Sequence, residues 1–175
     1  MSASSSAAWR SPDLMETVAC LNSEGQLVVV PTSDLHDGVV VYGILIENQR
    51  VLLRRNLETG LWEPPGGHLI GRQVPEQAVR SLFRAQTGLV CDPQQRLLLE
   101  SQHRIDVRGE AWRFAVIYYA LQRNPGSTVT LPPEDSTGPT WVRLDELRRE
   151  EMHAGYEAIQ VAAQHNGVAT AATSE

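Results

Sequence analysis

The chain has 175 residues, enough for one domain with a real core and too few for several. Hydrophobic residues make up 42% and charged residues 21%, the balance of a globular protein rather than a disordered or fibrous one. The formal net charge of −6 argues against general nucleic-acid binding through phosphate contacts, while leaving room for a local basic pocket.

Taken in chain order, the first stretch, residues 1–14, is rich in Ser and Ala and reads as a disordered tail. It has neither a basic start nor an apolar core, so it does not read as a secretory signal. Thr17 to Leu21 and Gln26 to Val30 read as two strands joined by a turn at Asn-Ser-Glu-Gly. Val39 to Ile46 and Val51 to Arg55 read as a second hairpin through Glu47–Arg50. Pro64, Pro65, Gly66 and Gly67 impose a loop. Pro75 then sits just inside a helix start, where its missing N–H costs nothing, and the helix runs to about Gln86 and stops at Gly88. Leu97 to Arg104 and Trp112 to Gln122 read as strands. Trp141 to Arg143 is a short strand, and Leu144-Asp145-Glu146-Leu147 opens a helix. A last amphipathic helix is predicted from Gly155 to about Gln164, followed by a loose tail over 165–175. These elements predict a single α+β domain over 15–164, a sheet covered by helices, with 17–30 as an added N-terminal hairpin. Cys20 and Cys91 are far apart and lack metal-ligand spacing, so they read as free thiols. No apolar run is long enough to span a bilayer, and a soluble cytoplasmic protein without a membrane partner is expected.

One stretch carries chemistry. Residues 61–89, LWEPPGGHLIGRQVPEQAVRSLFRAQTGL, can be laid without a gap on the pattern G-x5-E-x7-R-E-U-x-E-E-x-G-U, where U is bulky and apolar. Gly67, Phe83, Gly88 and Leu89 take its glycine and apolar positions. The stretch therefore resembles the Nudix box of the Nudix hydrolase superfamily. The pieces VVYGILIENQRVLLRR, RFAVIYYALQ and TWVRLDEL resemble the elements that usually surround it, so the likeness covers about residues 37–162. It implies a Nudix-type α/β/α sandwich of mixed β-sheets, with a central box helix and C-terminal helices. The acidic positions depart from the pattern. Gln73 stands for the first Glu, Ser81-Leu82 for the Arg-Glu pair, and Ala85-Gln86 for the Glu-Glu pair.

The family's reaction is attack of water on a diphosphate assisted by Mg²⁺ or Mn²⁺, and hard cations want oxygen ligands, anionic ones where the ion is held firmly. Residues 82, 85 and 86 share one helix face, which here offers an isobutyl group, a methyl and a neutral amide. Gln73 and Gln86 keep a carbonyl oxygen for a ligand or metal but bring no charge. Serine at 81 does not reproduce the bidentate contact expected of the family's arginine. No cofactor is therefore expected, with Mg²⁺ or Mn²⁺ only at a relocated site. The plainer alternative is that Ala78, Leu82 and Ala85 form a buried stripe that closes a dead cleft.

Other residues qualify as site candidates. The resemblance implies a phosphate contact near Arg54 and Arg55, and arginine's planar donor fork suits it; period-2 alternation turns one of the two outward. Gly66 and Gly67 bring backbone close to a ligand. Glu63 is a leftover acid or ribose contact, with a plain loop carboxylate favoured. His68 offers acid/base chemistry, with a structural role favoured. His103 and Glu110, with Glu100 and Asp106, flank a loop between strands, and Glu134 and Asp135 lie in another; any of them supports a rebuilt site or is simply solvated. Trp62, Trp112, Tyr118 and Tyr119 can stack a base or bind an apolar moiety, and most of them read first as core packing. His153, in MHAGYEA, reads first as a surface histidine near the cleft rim.

Three functions follow. The first is a pseudoenzyme that binds a nucleotide-like or other small-molecule ligand. The second is a divergent hydrolase acting on a nucleoside-diphosphate-type or unrelated molecule. The third is an interaction module whose Leu82 face meets another chain, a homodimer included.

Overall fold

The computed structural model describes residues 15–127 and 138–172. Glu134 and Asp135 lie outside the described residues. The chain opens with the expected hairpin, β1 (Thr17–Leu21) and β2 (Leu27–Pro31). Asn22 makes its turn: the Oδ1 accepts the N–H of Glu24 at 3.0 Å and of Gln26 at 2.8 Å, and Gly25 takes φ 78°.

The second hairpin is rearranged. β3 (His36–Ile44) stays in one sheet, while β4 (Ile46–Glu47) and β5 (Arg50–Arg55) pair in another. Their tight turn is built on Asn48 and Gln49, at φ 50° and 61°, the left-handed pair that matches strand twist. The physical reason lies in β3 itself. Apolar residues at both parities bury both of its faces, so it belongs inside a sheet rather than in an isolated hairpin. It is flanked by β7 (Gly66–His68) on one edge and, in parallel, by β9 (Ala111–Arg123) on the other. The Pro64–Gly67 loop accordingly gives way to a strand at Gly66.

The larger sheet is mixed, in the order β2-β1-β8-β9-β3-β7, with β8 at Cys91–Ile105. The smaller sheet runs β10-β5-β4, with β6 (Trp62–Glu63) also on β5 and β10 at Thr140–Arg143. Helix α1 (Pro75–Thr87) begins at Pro75 as expected and ends at Gly88, which is left-handed at φ 75°. A single 3-10 turn, Leu144–Glu146, stands where a helix was expected, because Leu147 returns to extended backbone to bury its side chain. Helix α2 (Tyr156–Ala172) runs past Gln164. No described helix is long and apolar enough to cross a membrane.

The two helices cover opposite faces. Val79 and Phe83 of α1 pack with Val41, Leu52 and Tyr119, while Ala158, Ile159 and Ala162 of α2 pack with Val40, Tyr42, Ile44, Leu53 and Tyr118. Successive β3 residues thus feed two cores, which makes the α/β/α layering. Tyr118 and Tyr119 are core residues, as read from the sequence, and both cysteines are buried and free. The stripe on α1 differs from expectation: Ala78, Val79, Phe83 and Thr87 are buried, Leu82 is only partly so, and Ala85 is exposed.

Candidate functional site

A cleft of about 690 Å³ opens beside Val40 and Tyr42, on the face of the larger sheet that α2 covers further along. Its centre is Glu63, only 1% exposed. Cross-strand register places Glu63 opposite Arg54, and the two form an ion pair at 2.8 Å. The carboxylate also accepts the Tyr42 hydroxyl at 3.3 Å and the Asn56 amide at 3.0 Å. Buried charge is tolerated where it is paired and hydrogen-bonded, and Glu63 is both. Burial, with the Glu63 charge beside it, pushes the Tyr42 phenol up, so it remains a donor.

His153 closes the cluster, its Nε2 4.0 Å from Glu63. Its backbone N–H donates to the Trp62 carbonyl at 2.7 Å, which stitches the segment before α2 onto β6. Burial, then the charges of Arg104 and Arg54, lower its pKa to about 4. The neutral ring accepts from Arg104 at Nε2, which leaves Nδ1–H to donate to the Thr59 hydroxyl at 3.2 Å. The reading of His153 as a surface residue is therefore corrected: its side chain is 12% exposed.

Arg54 lines the cleft, and its Nε is buried with no acceptor. Alternation turns Arg55 away, its guanidinium 3.6 Å above the Trp62 ring and bonded to the Gly60 carbonyl. The opposite wall is aromatic. Trp112 and Phe114 stand parallel on β9, 5.5 Å apart, with His36 and His68 each 5.1 Å beyond the ends of the pair. Gly38 makes the room: a Cβ there would meet Phe114 at 2.7 Å. Arg104, Asp106 and Arg108 complete the mouth.

Of the residues singled out in the sequence, Arg54, Glu63, Gly67, His68, Asp106, Trp112 and His153 line this cleft. Gly66 serves the backbone, since a Cβ there would lie 2.0 Å from the Val41 carbonyl oxygen. Gln86 reaches the same glycine with both ends of its amide, accepting the Gly66 N–H at 2.9 Å and donating to its carbonyl at 2.7 Å. Gln73 is exposed and outside the cleft. His103 falls on the other sheet face, because its neighbours Gln102 and Arg104 line the cleft and strand side chains alternate. Glu110 is exposed in the β8–β9 turn, which Asp106 organises. Glu100 accepts the Tyr118 hydroxyl at 2.7 Å. Arg104, Tyr42 and Phe114 escaped the sequence reading, while Trp112 and His153 were named but read first as a core residue and a surface residue. The parity of 102, 104, 112 and 114 along two adjacent strands was the signal that pointed to part of it. Among the described residues no three His, Cys, Asp or Glu side chains gather as a metal-ligand set.

The model of the NUDIX domain matches residues 34–161. No curated protein matches the chain. Solved structures do. A MutT NUDIX hydrolase from Burkholderia pseudomallei is 25% identical, at TM-score 0.51, over 71% of this chain and 97% of its own. The MutT protein from Methanosarcina mazei Go1 is 19% identical, at TM-score 0.58, over 76% and 97%. A NUDIX hydrolase from Nitrosomonas europaea is 16% identical, at TM-score 0.53, over 75% and 90%; at such identities the last two speak for the fold alone. With its two cores, its glycine loop before α1 and the domain model spanning most of its length, the chain belongs to the Nudix domain family.

Proposed function

We propose that this Nudix domain binds a small anionic, nucleotide-like ligand in its cleft and does not run metal-assisted hydrolysis at its box helix. The observation that carries the reading is a contrast between two places. The cleft is built, with a buried Arg54 Nε lacking an acceptor, further arginines at its mouth and a parallel aromatic wall. The box helix brings Leu82 and Ala85, which have no donor atom, and Gln86, whose amide is committed to Gly66. Those residues do not fit Mg²⁺ or Mn²⁺, which demand oxygen ligands.

An oxyanion pairs with the arginines that line the cleft, Arg54, Arg104 and Arg108, through charge-assisted bonds, and a flat ring packs against Trp112 and Phe114. Calorimetric titration with ADP-ribose in the presence of a chelator tests this. Binding is expected without metal, and Trp112→Ala is expected to weaken it about tenfold or more, as loss of one stacking partner does. Tight binding of Mg²⁺ or Mn²⁺ to the wild type sinks the proposal.

A divergent hydrolase is the second reading, favoured by a buried carboxylate lying near a neutral imidazole, Glu63 and His153. Against it, Glu63 already accepts from Arg54, Tyr42 and Asn56. AMP release from ADP-ribose that disappears in Glu63→Gln, with ligand binding retained, establishes the hydrolase instead.

A further inference from the structure

Half of the large apolar side chains left in solvent among the described residues cluster at the first hairpin, while Leu57, Ile70, Val74, Leu99 and Val107 are scattered over the rest of the surface. Met15, Leu21, Leu27 and Val29 are 72%, 40%, 70% and 67% exposed, and all lie on the β1–β2 hairpin or at its base. Register sets Leu27 beside Leu21 and Val29 beside Ala19, so they form a short ladder on one face. Among the described residues β2 is also the last strand of its sheet, with one edge unpaired. At the two ends of the hairpin the Thr32 N–H bonds the Glu16 carbonyl just before β1 and the Asn22 N–H bonds the Gln26 carbonyl, so even-numbered residues of β2 face β1, while Leu27 and Val29 direct their N–H and C=O groups outward. Natural edge strands are usually guarded by charges; from Gln26 to Pro31 there is none.

We infer that β2 pairs antiparallel with β2 of a second copy of this chain, about a two-fold axis at Val28. Charge and backbone chemistry select that occupant and that register. Centred on Val28, Leu27 lies opposite the partner's Val29, and each such pair exchanges two N–H···O bonds. Glu24 then meets the partner's Thr32. Centred on Val29 instead, Leu27 meets the partner's Pro31, which has no N–H, and Glu24 meets the carboxylate of the partner's Asp34. The Val28 register also extends the apolar ladder, from Leu21 and Leu27 to the partner's Val29 and Ala19. Leu82, the other apolar surface considered, is a poorer interface because it packs on the core under α1 and leaves little exposed. This pairing is independent of what the cleft binds.

Sedimentation equilibrium of the full chain at tens of micromolar is the first test, and a dimer is expected. Val29→Pro removes an outward N–H while leaving the β1–β2 ladder intact, so a monomer with an unchanged far-ultraviolet spectrum is expected. With Cys20, which lies opposite Val28 on β1, replaced by Ser so that it does not compete, Val28→Cys places two thiols across the axis at about 4.5 Å between Cα atoms, within disulfide range, and is expected to give a covalent dimer on mild oxidation where Val29→Cys in the same background does not. A monomeric wild type, a dimer undisturbed by Val29→Pro in its folded form, or cross-linking at Val29 rather than Val28 overturns the inference. The cysteine pair decides the question even if the proline variant fails to fold.

Discussion

Glu63 is the residue on which the cleft turns, because Arg54, Tyr42 and Asn56 all point at it. Removing one member of a buried ion pair strands the other, at about 3–5 kcal/mol. Glu63→Ala is expected to lose stability on that scale in urea denaturation; a loss under about 1 kcal/mol, the value of a surface pair, would show that Arg54 is well solvated. His153 gives the molecule a pH dependence. Its folded pKa of about 4 lies below the ordinary 6.5. The unfolded chain takes up a proton in that interval and the folded site does not. Stability is therefore complete above the upper value and falls as pH drops through the interval, by up to about 3 kcal/mol. Thermal melts between these limits should show the slope in the wild type and lose it in His153→Gln. Residues 54, 63 and 68 were legible as candidates because the box fixes their place. The place of His153 near the cleft rim was legible too, but not its burial, since nothing in its local sequence shows that its backbone would bond Trp62.

Between residues and fold stand the elements, and here the glycine loop matters most. Gly66 lies against β3 so closely that Gly66→Ala must push strands β3 and β7 apart. That variant is expected to be poorly folded, with lost β-sheet signal in circular dichroism. Gln86→Ala leaves the Gly66 N–H without its side-chain acceptor, while the Gly66 carbonyl keeps only the longer bond from Arg54 at 3.4 Å, at about 1–3 kcal/mol for a group left buried and unsatisfied. If denaturation midpoints do not move, the loop is held by β3 alone. The hairpin turn, the Pro75 start and the Gly88 stop were readable because each depends on a few neighbouring residues. The partner of β3 was not readable, since it is set by burial of both its faces. The turn at Leu144 likewise depends on where Leu147 finds its core.

At the scale of the molecule, the Nudix layering holds a cleft beside β3 and β9, with Gly67 and His68 in its wall and Gln86 bonded to the adjoining Gly66. Restoring Glu at Gln73, Leu82 and Ala85 with Arg at Ser81, while keeping Gln86 on the loop, is expected to create Mg²⁺ binding visible by calorimetry. Absence of binding in a folded variant would mean that the loop around Gly67 has also moved away from a metal-holding shape. The sequence by itself determined the fold family, the positions of α1 and its caps, the first hairpin, and the presence of neutral residues at 73, 82, 85 and 86, because periodicity, turn chemistry and motif spacing are local properties of the chain. Only the tertiary structure decided that Arg54 and not Arg55 faces the cleft, that Gln86 clamps Gly66, and that Arg104, His153, Trp112 and Phe114 meet there. Those partners come from strands and turns far apart in sequence, brought together by register across a mixed sheet that buries both faces of β3, and no local pattern encodes that register.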